Sequence, residues 1–366
     1  MIENNLIYFL KKEKLLFFLI FLFIILIIIT RPPYEKILNF IDWNTIFFLS
    51  GLLIITTSMK NSNYFYYIAE HLSNKIHSKR ILSIFLVYMS ALLSMILTND
   101  IALFLIIPFT IELKKIVNFD FPRVIILEIL SVNIGSSLTP IGNPQNIFLW
   151  HYFDINFIEF VVKMMPIVFL QIALITIFSF FMIRDEKLEI HLKEETYNKR
   201  KFYFSIFLLI TFIIISKTHF LFPFFILIFI YYLIFDKFSI YKTDWNLILV
   251  FILFFINFGI ISEAEFINFL IEKINLNQNL NLFSFSVLLS QFISNVPATI
   301  FISNFSDNWR IISYGVNIGG IGFILGSLAN IIGLRLSKID KGFKEFHKIS
   351  IPFFLIIFLT IYYILS

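Results

Sequence analysis

One polar stretch occurs twice inside apolar sequence, and this duplication limits the folds that the chain can adopt. Residues 132–146 read VNIGSSLTPIGNPQN, and residues 316–330 read VNIGGIGFILGSLAN. Two further matches precede each copy in the same order: Leu-Leu-Ser with a following asparagine at 92–99 and 288–295, and Asp-Trp-Asn at 42–44 and 244–246. The chain is therefore a duplicated unit. Each copy places glycine and asparagine within a lipid-soluble run, a pattern typical of membrane proteins whose sites are built from broken helices.

The composition places this repeat in a membrane. Of the 366 residues, 59% are hydrophobic and 14% are charged, with a mean hydropathy of +0.88, which exceeds what a soluble core can use. There is no cysteine, which excludes disulfides, thiolate metal sites and cysteine nucleophiles. The net charge of +5 is explained by the basic loops of a membrane protein, so it requires no nucleic-acid partner. The partner that the composition requires is the lipid bilayer.

Sequence motifs for catalysis or ATP hydrolysis are missing. The chain has no GxxxxGKS or GxxxxGKT phosphate loop, no HExxH metal motif and no GxSxG nucleophile elbow. We therefore expect no enzyme activity, and no cofactor besides a coupling ion, Na⁺ or H⁺.

The apolar runs predict an all-α polytopic membrane protein. A helix needs about 20 apolar residues to span a bilayer. Regular spans are expected at 15–30, 44–60, 157–183, 202–216, 218–235, 244–262 and 347–365. The spans 122–150 and 309–336 hold the repeated polar stretch. We expect both to be broken transmembrane helices, and the prolines and glycines of the first copy rule out a regular helix there.

Residues 81–115 and 281–303 are interpreted as re-entrant hairpins. Each has two short apolar arms around a polar tip, Thr98-Asn99-Asp100 in one and Ser294-Asn295-Val296 in the other. Non-helical backbone at membrane depth must lie against protein or a watery cavity, because lipid cannot satisfy free N–H and C=O groups. A weaker amphipathic stretch before each hairpin, at 62–78 and 264–276, is expected to lie at the interface.

The basic residues indicate that the two copies have opposite orientations in the membrane. With a cytoplasmic N-terminus and hairpins that do not cross, 23 of the 29 Lys and Arg residues fall in cytoplasmic segments and 5 fall outside. Five crossings then precede the span 218–235, which is the counterpart of the first span of the first copy, so the repeat is inverted. The first repeat covers 1–183, the second covers 202–366, and 184–201 is a cytoplasmic linker. We expect a multi-pass protein of a prokaryotic cytoplasmic (inner) membrane.

Polar residues at the hairpin tips and in the broken spans are the candidate binding site. A helix break exposes N–H groups, which suit anions, and C=O groups, which suit small cations. The candidates are Thr98, Asn99 and Asp100 at the first tip, Asn133, Gly135, Ser136, Thr139, Gly142, Asn143 and Asn146 in the first broken span, Ser294, Asn295 and Thr299 at the second tip, and Asn317, Gly319, Gly326 and Asn330 in the second broken span. The alternatives are helix capping at the tips and close helix packing for the glycines of the second span.

Two acidic residues stand out within the first copy. Asp100 is placed at membrane depth by the hairpin assignment, where a lone acid is costly and is a candidate for proton or sodium coupling. Capping of a helix N-terminus is the simpler interpretation of Asp100, and the two roles are compatible. Glu128 lies about two turns before the break, and the sequence leaves open whether it faces a cavity or the membrane surface.

The tips and the first broken span resemble a known group of transporters. The segments TNDIALFLIIP (98–108), GSSLTPIGNPQN (135–146) and SNVPATIF (294–301) resemble the ion transporter superfamily, which includes arsenite permeases, sodium/proton antiporters of the NhaD type and citrate or dicarboxylate symporters. The resemblance spans nearly the whole chain. It implies a scaffold domain and a mobile transport domain that holds both hairpins, usually as a homodimer that works by an elevator motion.

The resemblance also implies where ions and substrate bind. Carried over by position, the tips and the unwound segments would form these sites, with Na⁺ near Asn99, Gly135, Asn295 and Gly319. The dicarboxylate branch has Ser-Asn-Thr at both tips, whereas this chain has Thr-Asn-Asp and Ser-Asn-Val. The acid at the first tip is closer to the arsenite-permease and antiporter branches. With no arginine in the candidate site, an anion would rely on helix ends and hydroxyl groups.

These features lead to three functional hypotheses. The first is a secondary transporter that moves a small anion or oxyacid, such as a carboxylate, an arsenite-like oxyacid or an inorganic anion, coupled to Na⁺ or H⁺. The second is a Na⁺/H⁺ antiporter with Asp100 as the exchanging carboxylate, which would change vesicle pH with sodium alone. The third, from another class, is a non-transporting membrane receptor or assembly protein, which would bind a ligand without flux.

The charge map predicts which loops a membrane-impermeant thiol reagent can reach. A cysteine at Asn304 should be labelled from outside the cell, and one at Asn198 only after permeabilisation. The absence of native cysteine makes the background clean. The reverse labelling pattern would refute the inverted topology.

Overall fold

The computed structural model describes residues 14–73, 76–188, 196–215, 218–262 and 274–366, and most of these residues lie in helices. Its helices are α1 (Lys14–Thr30), α2 (Tyr34–Asn39), α3 (Trp43–Asn61), α4 (Tyr64–Ser73), α5 (Lys79–Ile96), α6 (Asn99–Ile116), α7 (Phe121–Ser136), α8 (Pro144–Tyr152), α9 (Phe157–Met182), α10 (Lys199–Ile215), α11 (Leu221–Phe235), α12 (Lys237–Lys242), α13 (Trp245–Ser262), α14 (Asn279–Ile293), α15 (Asn295–Ile302), α16 (Trp309–Gly319), α17 (Leu328–Ser337) and α18 (Gly342–Leu365). The all-α polytopic fold class is confirmed. Of the predicted amphipathic stretches, 62–78 contains α4, whereas most of 264–276 lies outside the described residues.

Both hairpins and both broken helices are present close to their predicted bounds. Hairpin 1 consists of α5 and α6 with a break at Leu97 and Thr98, and hairpin 2 consists of α14 and α15 with a break at Ser294. Broken helix 1 is α7 and α8 around the unwound residues 137–143. Broken helix 2 is α16 and α17 around residues 320–327, which include a short 3₁₀ turn.

One expectation about hairpin 1 is wrong. Its first arm, α5, has 18 residues and is one of three described helices that are long and apolar enough to cross a membrane, together with α9 and α18. The short-arm argument therefore fails for α5 on length. The polar tip, and not the length of the arm, identifies this segment as a hairpin.

The chain folds into two compact units that do not follow the repeat boundaries. Unit 1 comprises residues 1–62 and 199–268, and unit 2 comprises 63–198 and 269–366. Each unit therefore takes one part from each repeat. Both hairpins and both broken helices belong to unit 2.

Within unit 1, a polar cluster joins four helices at one end. Lys201 of α10 lies 2.8 Å from the carboxylate of Asp236, which follows α11. The same carboxylate accepts hydrogen bonds from Ser58 of α3 and Ser239 of α12. The charge map places Lys201 and Ser239 in cytoplasmic segments, and Ser58 and Asp236 lie next to such segments, so this contact agrees with it.

Two contacts in unit 2 agree with the same charge map. The start of the linker pairs with the entry to hairpin 1, where the backbone N–H of Lys79 donates to the carbonyl of Glu186. Their side chains also form an ion pair, and the hydrogen bond from Lys79 lowers the pKa of the Glu186 carboxyl below its usual range. At the other end, Phe160 stacks on Trp309. The map places Lys79 and Glu186 in cytoplasmic segments, and it places Phe160 and Trp309 near the outer ends of their spans.

The arms of the hairpins and the first halves of the broken helices pack closely in symmetric pairs. Helix α5 packs on α7, and its repeat mate α14 packs on α16. A Cβ at Gly135 would overlap the carbonyl oxygen of Ala91, and a Cβ at Gly319 would lie 2.8 Å from the carbonyl oxygen of Val287. Small residues let the helix backbones approach, so the packing interpretation applies to the glycines of both copies.

This packing predicts the effect of one added methyl group. Gly135→Ala should lower the free energy of unfolding by roughly 1–3 kcal/mol, since the obstacle is backbone that cannot rotate away. Gly342→Ala is the matched control, because a Cβ there meets its nearest neighbours at 3.6 Å. Unfolding in detergent measures both variants. Equal stability of the two would contradict the close packing of α5 on α7.

Candidate functional site

Four buried asparagines link the two broken helices of unit 2 reciprocally. Asn133 Nδ2 donates to Asn330 Oδ1 at 2.8 Å, and Asn317 Nδ2 donates to Asn146 Oδ1 at 2.9 Å. In the repeat, Asn133 matches Asn317 and Asn146 matches Asn330. Each copy therefore donates one hydrogen bond to the other copy and accepts the equivalent hydrogen bond from it. Such reciprocal contacts are typical of two units related by a two-fold axis. All four side chains are at most 5% exposed. We call these two pairs the amide lock.

The asparagines after the breaks also satisfy the carbonyl groups that unwinding leaves free. Asn146 Nδ2 lies within hydrogen-bond distance of the carbonyl oxygens of Ser136, Ser137 and Thr139, at 3.1–3.4 Å. Its mate does the same in the second copy, where Asn330 Nδ2 donates to the carbonyls of Gly320 and Phe323 at 2.8 and 3.2 Å. The carbonyls at the end of a helix have no partner within it. In each copy, one asparagine side chain thus donates to the free carbonyls of its own break and accepts a hydrogen bond from the other copy.

The residues that begin the second half-helices extend the lock. Asn143 Oδ1 caps α8 by accepting from the N–H of Asn146, and its Nδ2 donates to Asn317 Oδ1 at 3.0 Å. Its mate Ser327 donates to Asn133 Oδ1 at the same distance. The two copies thus use different residue types, asparagine and serine, to donate a hydrogen bond to the asparagine in the first half of the other copy's broken helix.

Two glutamines that the candidate set omits join the network. Gln145 Nε2 donates to Asn317 Oδ1, and its buried Oε1 has no partner among the described residues. Gln291 Nε2 donates to the carbonyl of Gly319, and its Oε1 accepts from the N–H of Phe323. Both lie inside helices, and the sequence alone does not indicate whether a polar side chain in a helix points into the protein or away from it. Gln145 is 2% exposed and lies beside an unwound segment, and only the structure reveals this burial.

Tip 1, at residues 98–100, is fastened to the unwound part of broken helix 1. The backbone N–H of Asn99 donates to the carbonyl of Gly142 at 2.8 Å. Asn99 Oδ1 accepts from the N–H of Asp100, whereas Thr98 makes no capping bond and its buried Oγ1 has no partner among the described residues. Asp100 is partly exposed, and its carboxylate makes no hydrogen bond to a described residue. Thr98 therefore occupies the N-cap position of α6 without a side-chain capping bond.

Tip 2, at residues 294–296, is buried at Ser294 and Asn295 and has an unusual backbone. Ser294 adopts φ 73° and ψ 156°, a region that is essentially restricted to glycine and costs about 1–3 kcal/mol for other residues. Its hydroxyl lies 3.3 Å from Asn295 Oδ1. Thr299 donates back to the carbonyl of Asn295 within α15.

The remaining candidates lie around the same breaks. Ser136 donates to the carbonyl of Asn133 and accepts from Asn143, and Thr139 donates to the carbonyl of Met95 in hairpin 1. Gly142 and Gly326 are close-approach positions, where a Cβ would clash with the carbonyl oxygens of Ser136 and Gly319. The structure thus brings the first-copy candidates together around tip 1 and joins the two copies through the amide lock.

Cross-packing places the half-helices of one copy against the other. Helix α17, the second half of broken helix 2, packs on α6 of hairpin 1, and α8 of broken helix 1 packs on α15 of hairpin 2. Four helix N-termini therefore belong to one packed body, those of α6, α8, α15 and α17. An N-terminus carries about half a positive charge. The arrangement can hold a small anion at these ends, and a cation at the carbonyl and amide oxygens beside them.

Comparison with known proteins assigns the family. Residues 6–306 match the family described as Citrate transporter. The chain belongs to that family. An uncharacterized transporter of Methanocaldococcus jannaschii is 37% identical over 308 residues, which cover 83% of each chain. The inner membrane protein YbiR of Escherichia coli is 32% identical over 317 residues, 86% of this chain and 85% of that protein. The resemblance to the ion transporter superfamily is confirmed, and the protein is a multi-pass membrane transporter.

The strain at Ser294 makes a prediction about stability. Ser294→Gly should raise the free energy of unfolding by about 1 kcal/mol, because glycine adopts this backbone without a Cβ penalty. Ser294→Ala keeps the strain and removes the hydroxyl, so it should not stabilise the protein. Thermal unfolding of the purified variants compares them. A stabilising Ser294→Ala, or a destabilising Ser294→Gly, would contradict the strained backbone.

Proposed function

We propose that this member of the Citrate transporter family is a secondary active transporter that moves a small anion or oxyacid, coupled to Na⁺ or H⁺. The observation that supports it best is the joining of two hairpins and two broken helices in one compact unit. This arrangement offers helix N-termini to an anion, and carbonyl, amide and carboxylate oxygens to a cation. The chemistry favours a carboxylate, an arsenite-like oxyacid or an inorganic anion as the substrate class.

The proposed mechanism is an elevator motion in which unit 2 is the moving body. Both hairpins, both broken helices and the amide lock belong to unit 2. A body that carries its whole binding site can move without dismantling it. Unit 1 would then be the scaffold, in a homodimer within a prokaryotic cytoplasmic membrane whose cytoplasmic side holds the N-terminus.

Asp100 is the proposed centre of ion coupling. It lies in the first turn of α6, beside the contact between Asn99 and Gly142, and its carboxylate makes no hydrogen bond to a described residue. Its repeat mate is Val296, so tip 2 has no acid at that position. A carboxylate that has no ion-pair partner among the described residues suits a cation at tip 1. The same observation favours the second candidate function, Na⁺/H⁺ antiport through Asp100.

Replacing Asp100 tests its role in coupling. Asp100→Asn keeps size and removes charge, so it should fold normally and lower ion-dependent uptake in proteoliposomes by at least about tenfold, which corresponds to roughly 1.4 kcal/mol. Asn99→Ala and Asn295→Ala should each weaken the affinity for ion or substrate, since these residues are repeat mates. Asp120→Asn is the matched control, because Asp120 caps α7 away from both tips.

The readout must separate the two candidate functions. Uptake is measured for citrate, a dicarboxylate, arsenite and phosphate, with a sodium or a proton gradient imposed in turn. Flux that needs a second solute supports anion transport, whereas vesicle acidification or alkalinisation with sodium alone supports antiport. Unchanged ion dependence in folded Asp100→Asn would remove this residue from the mechanism. The absence of any flux in the wild type would refute the proposed function.

A further inference from the structure

A second acid is buried in unit 2, away from the tips. Glu128 lies in the middle of α7, seven residues before Gly135, which is about 10 Å along a helix. Its side chain is 0% exposed, so it faces neither the membrane surface nor an open cavity. Both possibilities that the sequence leaves open are therefore wrong. The carboxyl group lies between α7 and hairpin 1.

Only one of the two carboxyl oxygens of Glu128 has a partner. Oε1 accepts a hydrogen bond of 2.6 Å from the hydroxyl of Thr110 in α6, and Oε2 has no hydrogen-bond partner among the described residues. None of these residues forms an ion pair with it. A buried carboxylate with one neutral donor is costly, and the group relieves that cost by taking up a proton.

The charged groups on α7 and on the helices packed against it do not neutralise Glu128. In the order α5, α6, α7, α9, α16, α17 and α18, they are Lys79 and Arg80; Asp100, Glu112, Lys114 and Lys115; Arg123; Glu159 and Lys163; Arg310; Arg335; and Lys344, Glu345, His347 and Lys348. Several have other partners. Glu112 pairs with Lys115, Lys79 with Glu186, and Lys348 with Glu345.

The internal repeat shows that the fold does not need a carboxyl group at this position. The match of Asn133 to Asn317 sets the register of α7 against α16, and in this register Glu128 corresponds to Ile312. Ile312 is also 0% exposed. An aliphatic side chain thus fills the same place in the second copy. The carboxyl group of Glu128 is therefore not needed to fill this position, because an aliphatic side chain can pack there.

We infer that Glu128 and Thr110 form a proton-binding site, separate from the hairpin tips, whose occupancy is coupled to the position of hairpin 1. Protonated Glu128 is neutral and fits the closed packing of α6 on α7. Loss of its proton to water leaves a charge that favours separation of these helices and entry of water. The hydrogen bond between Thr110 and Glu128 joins hairpin 1 to broken helix 1, as the bond between Asn99 and Gly142 does at the tip. This site deepens the proposed transport function and rests on it.

The experiment reads the proton on Glu128 directly and needs no substrate. Infrared spectra of the purified protein in lipid at neutral pH should contain the C=O stretch of a buried protonated carboxyl group. Glu128→Gln should abolish this band. Thr110→Val, which keeps the shape of the side chain and removes the donor, should shift the band to higher frequency. Raising the pH should diminish the wild-type band reversibly.

Two variants serve as controls. Glu112→Gln changes another buried acid of hairpin 1, which is paired with Lys115, and should leave the band intact. Glu128→Ile copies the second repeat, so it should fold if Glu128→Gln does not, and it should also lack the band. A band that persists in folded Glu128 variants, vanishes only in Asp100→Asn, or never responds to pH would overturn the proton site. If the band behaves as expected but the wild type shows no flux, the proposed function fails and the proton site stands.

Discussion

The free carbonyl groups of two unwound helices are the constraint on which unit 2 depends. Inside a membrane protein these groups need partners from the protein itself, because lipid offers none. Asn146 and Asn330 supply the partners in their own copies and then accept a bond from the other copy. Each asparagine that closes a break is therefore also held by the other copy. This contact joins the two broken helices within unit 2.

The amide lock is symmetric, whereas the acidic residues are not. Asp100 and Glu128 both belong to the first copy, and their mates are Val296 and Ile312. The two-fold framework thus positions two equivalent breaks, and the first copy alone adds acids beside hairpin 1.

The sequence predicts the breaks well and the pairings poorly. Proline, glycine and asparagine inside apolar runs locate both hairpins and both broken helices within about two residues of their bounds, because backbone chemistry decides where a helix stops. The direction of a side chain depends on packing. Thr299 bonds back to its own helix, and Gln145 and Gln291 join the network from helical positions. The left-handed backbone of Ser294 is not predictable from serine, which rarely adopts it. The interleaved units depend on long-range contacts that repeat boundaries do not reveal.

A double-mutant cycle on the amide lock tests the central claim most directly. Asn133→Ala, Asn330→Ala and the double variant define one coupling energy, and Asn317→Ala, Asn146→Ala and their double variant define its mate. Unfolding in detergent should give couplings of about 0.5–1.5 kcal/mol for both pairs, equal within error, because the bonds are related by the repeat. Additive effects in either pair, or coupling in only one, would contradict a reciprocal lock between the two copies.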